Sequence, residues 1–488
     1  MRVRHPAALD AHEDGMIRSG KSNSHSPVFS WLLRAALGLA VVQSGMIVAP
    51  YTASAVPSYA RQTGQPCATC HTAFPELTPY GRQFKLGGYT AGGTRCGSDS
   101  RLAGYLGGSK DVPSAFATNE PQIPISFMTN SEFTHVNTKD FPNNNQTSVR
   151  ETSIFIAGQL YCNLGAFVQM TYSRPDQVFG LDNADIRYAN TTKLAGVDVL
   201  YGVTANQNPT VQDVWNTVPA WSFPFIDSTL APAPAASTMI EGTFQNRVAG
   251  SGAYVWINNM VYAEISAYGA LDAKTQHDLG ADPTGPRFAG AAPYWRLAVE
   301  KTWDQHSLMV GTFGMAADIQ PVGAGPTPTA LSFPGVTDRF TDVGLDAQYQ
   351  YLGDIHAFTV RGSYIWEHQK LNAEFANNAS ANPNIDLDSF KVSASYIYDR
   401  TISLTGGYFG IRGTSDALIY ADNANFSPNS NGWVADLAYM PFSKGGPKEW
   451  PWLNARIGIS YTHYDKFDGT SVGASDNDTT FIYTWFAF

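Results

Sequence analysis

From about Gln122 onward the chain alternates apolar and polar residues with a period of two, segment after segment, which places successive side chains on opposite faces of a strand. In "SFKVSASYIYD", Phe390, Val392, Ala394, Tyr396 and Tyr398 share one face, and Lys391, Ser393, Ser395 and Asp399 share the other. In "HAFTVRGSYIWE", Phe358, Val360, Tyr364 and Trp366 oppose Thr359, Arg361, Ser363 and Glu367. In "LNARIGISYT", Leu453, Ala455, Ile457, Ile459 and Tyr461 oppose Asn454, Arg456, Ser460 and Thr462. Such segments are centred near residues 128, 154, 169, 186, 200, 251, 264, 298, 311, 344, 362, 393, 406, 436, 458 and 482. An even count of roughly 16 suits a closed antiparallel barrel.

The connections discriminate further. Turns near 162, 192, 258, 305, 352 and 400 are short, whereas 135–147, 206–245, 271–291, 317–337, 370–386 and 413–430 are long. Alternation of short and long is the asymmetry between periplasmic turns and extracellular loops. A soluble two-sheet sandwich also alternates along its strands, but its loops need not alternate in length. In the last segment Ile482, Thr484, Phe486 and Phe488 share a phase, resembling the C-terminal signal by which outer-membrane barrels are recognised. The expected fold is therefore all-β: a transmembrane antiparallel barrel over 119–488, facing outer-membrane lipid.

Charged residues make up only 15% of the chain and the formal net charge is −10. Nucleic-acid partners need a basic face and are excluded. Near the N-terminus Arg18, Lys21 and Arg34 flank "AALGLAVV", and "ASA" follows at Ala53 to Ala55, so 1–55 reads as a secretory signal. Beyond it no run of about 18 apolar residues predicts a membrane-spanning helix.

The remaining segment, 56–118, carries "QPCATCHTAFPELTPYGRQFKLGGYT". A Cys-x-x-Cys-His run supplies two thiols for thioether bonds to haem vinyls and an adjacent imidazole for the iron. Cys67, Cys70 and His71 fit, which predicts one covalent haem c with His71 as proximal ligand. A zinc half-site would want a second ligand pair, and a redox dithiol would want a parallel αβ sheet. Pro75, Pro79, Gly81 and "GGYTAGG" keep the segment irregular, and it is too small to bury a haem alone. The barrel lumen is the available wall, so the haem segment is expected at or inside the periplasmic end of the pore.

Other assignments stay open at this stage. No Met or His lies between His71 and Met128, so Met128 is a candidate sixth iron ligand, with an ordinary wall side chain as its plainer role. Met260, in phase with Glu264 and Ser266, and His306, in an expected periplasmic turn, are comparable candidates, and His356 and His463 read as interfacial. Cys96 and Cys162 could form a disulfide tying the haem segment to the barrel, or stay as two thiols. The aromatic loop 206–245 could fold into the pore or cap it outside.

Signal, "QPCATCHTAFPELTPYGRQFK" and a barrel together resemble the fused cytochrome-porins of iron-oxidising bacteria, over the whole mature chain. The resemblance implies a monohaem outer-membrane electron carrier, an oxidoreductase that oxidises extracellular Fe(II). Cys67 and Cys70 would carry the haem and His71 would ligate it. A periplasmic cytochrome c or blue-copper protein would accept the electron. The competing readings are a diffusion porin with an accessory haem, a cytochrome-porin using another donor, and a soluble cytochrome fused to a sandwich.

Overall fold

The computed structural model describes residues 56–90, 124–138, 141–142, 144–161, 163–173, 178–218, 223–244, 247–281, 285–321 and 336–488. The signal stretch 1–55, the boundary near residue 118, and Cys96 and Cys162 lie outside the described residues.

Seventeen strands follow in order: β1 Ile125–Val136, β2 Gln146–Tyr161, β3 Leu164–Ser173, β4 Val178–Leu194, β5 Val197–Asn206, β6 Val248–Ile257, β7 Val261–Ala270, β8 Arg287–Phe288, β9 Ala292–Trp303, β10 His306–Gln320, β11 Asp338–Leu352, β12 His356–Lys370, β13 Asn384–Tyr398, β14 Ile402–Gly413, β15 Ser430–Tyr439, β16 Asn454–Lys466 and β17 Thr479–Ala487. β8 is a two-residue ladder on the end of β10, and β7 pairs directly with β9. Setting β8 aside leaves sixteen wall strands, each antiparallel to its neighbours. β17 returns to β1, from Met128 opposite Ala487 to Val136 opposite Thr479, and closes the barrel. Every segment expected from the alternation is one of these strands.

The faces are inverted relative to a soluble protein. Ile265 is 71% exposed on the exterior, and Val310, Leu404, Leu345 and Leu297 are exposed around it. Rings flank this band: Tyr161, Tyr188, Trp303, Tyr398 and Tyr439 near the short-turn end, and Tyr172, Phe179, Trp366, Phe390 and Trp433 toward the other. Thr359, Arg361, Ser363 and Glu367 of β12 and Ser389, Ser393 and Ser395 of β13 are buried inside. Apolar outside and polar inside is what lipid around a closed barrel selects.

Two connections depart from the expected alternation. Only four positions separate Ser173 of β3 from Val178 of β4 at the long-loop end, and the short-turn end carries the long segment 440–453.

Residues 56–90 sit in the lumen at the short-turn end. α1 Pro57–Thr63 starts on a proline and stops at Gly64 in the left-handed region (φ 65°). α2 Cys67–Cys70 is a single turn. α3 Pro79–Leu86 is capped by Thr78, whose hydroxyl accepts from the Gly81 amide at 3.1 Å. These helices touch the wall on several sides. Tyr59 Oη donates to the Ala166 carbonyl of β3 at 2.7 Å, and Tyr89 Oη to Asp185 of β4 at 2.5 Å. Tyr254 of β6 donates to the Leu86 carbonyl at 2.6 Å, and Arg456 of β16 to the Phe74 carbonyl at 2.7 Å.

The connection between β5 and β6 folds into the lumen above this plug, which decides between the two readings of loop 206–245. Trp215 is buried and its indole donates to Glu300 of β9 at 2.5 Å. The Met239 and Ile240 amides donate to Glu367 of β12 (2.6 Å) and Asp342 of β11 (2.8 Å). On the opposite wall Thr229 Oγ1 donates to Glu132 of β1 at 2.6 Å, and Phe225 lies under the Arg456 guanidinium, 4.5 Å from ring centre to Cζ.

Candidate cofactor site

The Cys-x-x-Cys-His turn is held by short backbone bonds that its sequence makes available. The His71 amide donates to the Cys67 carbonyl at 2.9 Å, closing α2, and His71 then leaves in extended conformation to bridge with Leu77. The Thr78 amide donates to the Cys70 carbonyl at 2.9 Å and its hydroxyl to the Thr69 carbonyl at 2.7 Å. α3 crosses close above: a Cβ on Gly81 would lie 2.3 Å from the Cys70 carbonyl oxygen. Gly81→Ala must therefore push α3 and the cysteine turn apart, at a cost of about 1–3 kcal/mol. In cofactor-free protein this substitution should speed alkylation of Cys70 about tenfold. An unchanged rate would show that the turn yields freely.

Cys67 and Cys70 are buried and unbridged. Burial pushes the Cys70 thiol up to about 12 and raises Cys67 further, the neighbouring Cys70 adding to it. Burial pushes His71 down to about 4, partly opposed by the nearby backbone of Glu76 and Pro75. The imidazole is thus neutral at ordinary pH, the form that binds a metal. Its Nδ1 is buried and finds no hydrogen-bond partner among the described residues.

Two cavities meet at His71, Phe74 and Val56. The first, partly open to solvent, is lined by Cys67, His71, Met128, Met440 and Trp485 among others. The second, also partly open, takes in Cys70, His71, Tyr59, Phe84, Lys85 and Tyr89 from the plug, Phe167 from the wall, and Val211 and Asp213 from the infolded loop. Much of their apolar wall belongs to one packed cluster containing Val56, Tyr59, Phe84, Tyr89, Met128, Phe155 and Trp485. Two unbridged thiols and a neutral imidazole beside aromatic-lined spaces are a donor set of the kind that holds a covalent haem.

Of the expected ligand candidates, the fold brings Met128 to the cavity wall, where it is 1% exposed. Met260 instead lies half-exposed in the turn after β6, away from both cavities. His306 stacks on Trp303 and meets Tyr349 Oη at 2.8 Å on the outward face, and His356 does the same with Tyr396 at 2.7 Å.

Three features escaped the reading of the sequence. Met440, which lines the first cavity, lies just beyond β15. The segment 440–453 reaches the cysteine turn, where the Ala68 amide donates to the Ser443 carbonyl at 3.3 Å, and Asn454, which opens β16, donates from Nδ2 to Cys67 Sγ at 3.3 Å. Its unusual length at the short-turn end thus has a structural reason. Arg82 and Glu300 form a buried pair, 2.6 Å apart, that fastens plug to wall.

A closed sixteen-strand barrel, apolar outside and polar inside, is a porin-like protein of the bacterial outer membrane, with its short-turn end in the periplasm. No family model matches the chain, and no curated protein matches it. Among solved structures it is similar to the outer-membrane protein OmpT of Vibrio cholerae, at 12% identity and a TM-score of 0.38, covering 75% of this chain and 97% of that one. It is similar to Salmonella typhi OmpF in complex with daunomycin, at 11% identity and a TM-score of 0.39, covering 75% and 97%. The outer-membrane channel DcaP of Acinetobacter baumannii gives 10% identity and a TM-score of 0.41, covering 75% and 96%.

Proposed function

We propose that this barrel is an outer-membrane electron-transfer protein of the Fe(II):cytochrome c reductase type, an oxidoreductase that takes electrons from extracellular Fe(II). The observation that carries the reading is the meeting of Cys67, His71 and Met128 on one cavity wall inside the barrel. Cys67 and Cys70 would anchor the group, His71 would ligate its iron, and Met128, delivered from strand β1, would offer a further sulfur ligand. Bound there, one haem c would supply a one-electron couple, and a thioether ligand would raise its potential, as a weakly reducing donor requires. The cavity's place at the periplasmic end suits hand-over to a periplasmic cytochrome c or a blue-copper protein. Keeping iron outside while moving only the electron avoids depositing ferric mineral in the cell.

The alternative, a diffusion porin with an accessory haem, is disfavoured by the filling of the lumen: Arg82, Leu86 and Trp215 are all fully buried within it. Purified protein is expected to carry one covalent haem, and anaerobic stopped-flow mixing with Fe(II) is expected to reduce it. A haem-bearing protein that Fe(II) fails to reduce would defeat the donor assignment alone; protein without covalent haem would defeat the whole reading. In planar bilayers the protein should conduct far less than an open sixteen-strand porin, and a large steady conductance would favour solute diffusion.

A further inference from the structure

Five arginines buried in the lumen each have a carboxylate partner: Arg82 with Glu300 at 2.6 Å, Arg187 with Asp185 at 2.7 Å, Arg456 with Asp436 at 2.9 Å, Arg296 with Asp346, and Arg361 with Glu76. Lys85, which lines the larger cavity with Cys70 and His71, departs from this rule. Its ammonium donates only to backbone carbonyls of the infolded loop, Val211 at 2.5 Å and Asp213 at 3.3 Å, and among the described residues no carboxylate pairs with it.

The charged groups facing Lys85 are Arg187 and Asp185 of β4, Asp213 of the loop and Glu264 of β7. The three carboxylates are already engaged. Asp185 accepts from Arg187, Tyr89 and Thr204. Asp213 accepts from the Trp215 and Thr217 amides and faces Arg296 at 3.6 Å. Glu264 accepts from Tyr262 and Ser266. A cation with no carboxylate in direct contact, held on a cavity wall by backbone carbonyls alone, can receive an anion supplied by whatever fills the cavity.

We propose that Lys85 is the anion-receiving group of this cavity, pairing with a carboxylate of the cofactor and so holding its reduction potential up. The inference rests on the haem reading above, since haem presents propionate carboxylates at the edge away from its thioether bonds. An ammonium on a propionate cancels negative charge that would otherwise stabilise ferric iron. Burial, with Arg187 adding to it, pulls the Lys85 ammonium down to about 8 in the cofactor-free cavity, and a carboxylate partner moves it back up. Its proton is therefore lost at or above that pH. Since the loss removes a positive charge, the potential must fall there.

The test measures midpoint potential against pH for holoprotein of wild type, Lys85→Arg and Lys85→Met. Wild type is expected to hold a plateau and then decline as pH rises beyond about 8. Lys85→Arg should stay high and flat, because guanidinium does not lose its proton in this range. Lys85→Met should be low and flat. Haem content and axial-ligand bands should match in all three, which separates the effect from a disturbed fold. If haem is bound and all three curves coincide, the proposal is overturned while the haem reading stands; if no haem is bound, it is that reading which fails.

Discussion

Glu300→Gln is expected to free the N-terminal plug from the lumen while the barrel stays closed. Arg82 is fully buried and all five of its donors are used. Nε and Nη2 grip Glu300 at 3.0 and 2.6 Å, Nη1 serves the Leu77 carbonyl at 2.8 Å and Gln350 at 2.7 Å, and Nη2 also reaches Ser307 at 3.1 Å. The same carboxylate accepts from Ser307 at 3.0 Å and from Trp215 of the infolded loop. One glutamate thus fastens plug, loop and two wall strands. Glutamine keeps the volume but strands the guanidinium, at about 3–5 kcal/mol. In the docking equilibrium of the plug that is roughly a hundred- to several-thousand-fold. The barrel ladders do not depend on this pair, so heat-modifiable gel mobility should be unchanged. Bilayer conductance should rise, and trypsin should cut within 56–90. The double variant Arg82→Met, Glu300→Leu removes both charges and should recover much of the docking, since an apolar pair of similar size often replaces a buried ion pair without loss. A Glu300→Gln protein that conducts and resists trypsin like the wild type would show that the plug is held by other contacts.

The wall was legible because lipid and lumen impose opposite chemistry on alternate residues, so the phase of Phe390 against Lys391 already says which face each occupies. The haem candidates were legible because Cys67, Cys70 and His71 fall within one run of five residues. What stayed hidden depends on chain closure. Arg82 meets Glu300 across 218 positions, and neither is unusual in its own segment. Lys85 sits in "GRQFKL", where a basic residue near a helix end is unremarkable, and becomes distinctive only when each nearby carboxylate proves to have another partner. The loop rich in Trp, Phe and Pro suits a cap and a constriction equally by composition. Only the positions of Glu300, Asp342 and Glu367 on the inner wall distinguish them. The role of 440–453 follows only from the fold, which brings its Ser443 carbonyl onto the cysteine turn.

Met128→Ala is expected to remove the sulfur-to-iron charge-transfer band of the ferric protein, convert its haem to high spin and lower its potential. Two methionines line the cavity beside His71, so the alternative must be weighed. Met128 is in the aromatic cluster with Phe155 and Trp485, and its strand is fixed by pairing with β17 and β2 on either side. Met440 lies outside the strands and packs with Ala73, Ala357 and Ile397 in a separate cluster. A ligand on a rigid strand holds its distance to iron better than one on a connecting segment. Truncation to alanine also opens a cavity costing about 2–5 kcal/mol, so Met128→Leu, which keeps the volume at a cost under about 1.5 kcal/mol, is the control for packing. It should lose the band as completely as alanine while melting close to wild type. Met440→Ala should keep the band. The reverse pattern would transfer the ligand role to Met440, a band retained in both variants would assign the sulfur ligand to neither residue, and a wild-type protein without the band would remove methionine from the sixth position.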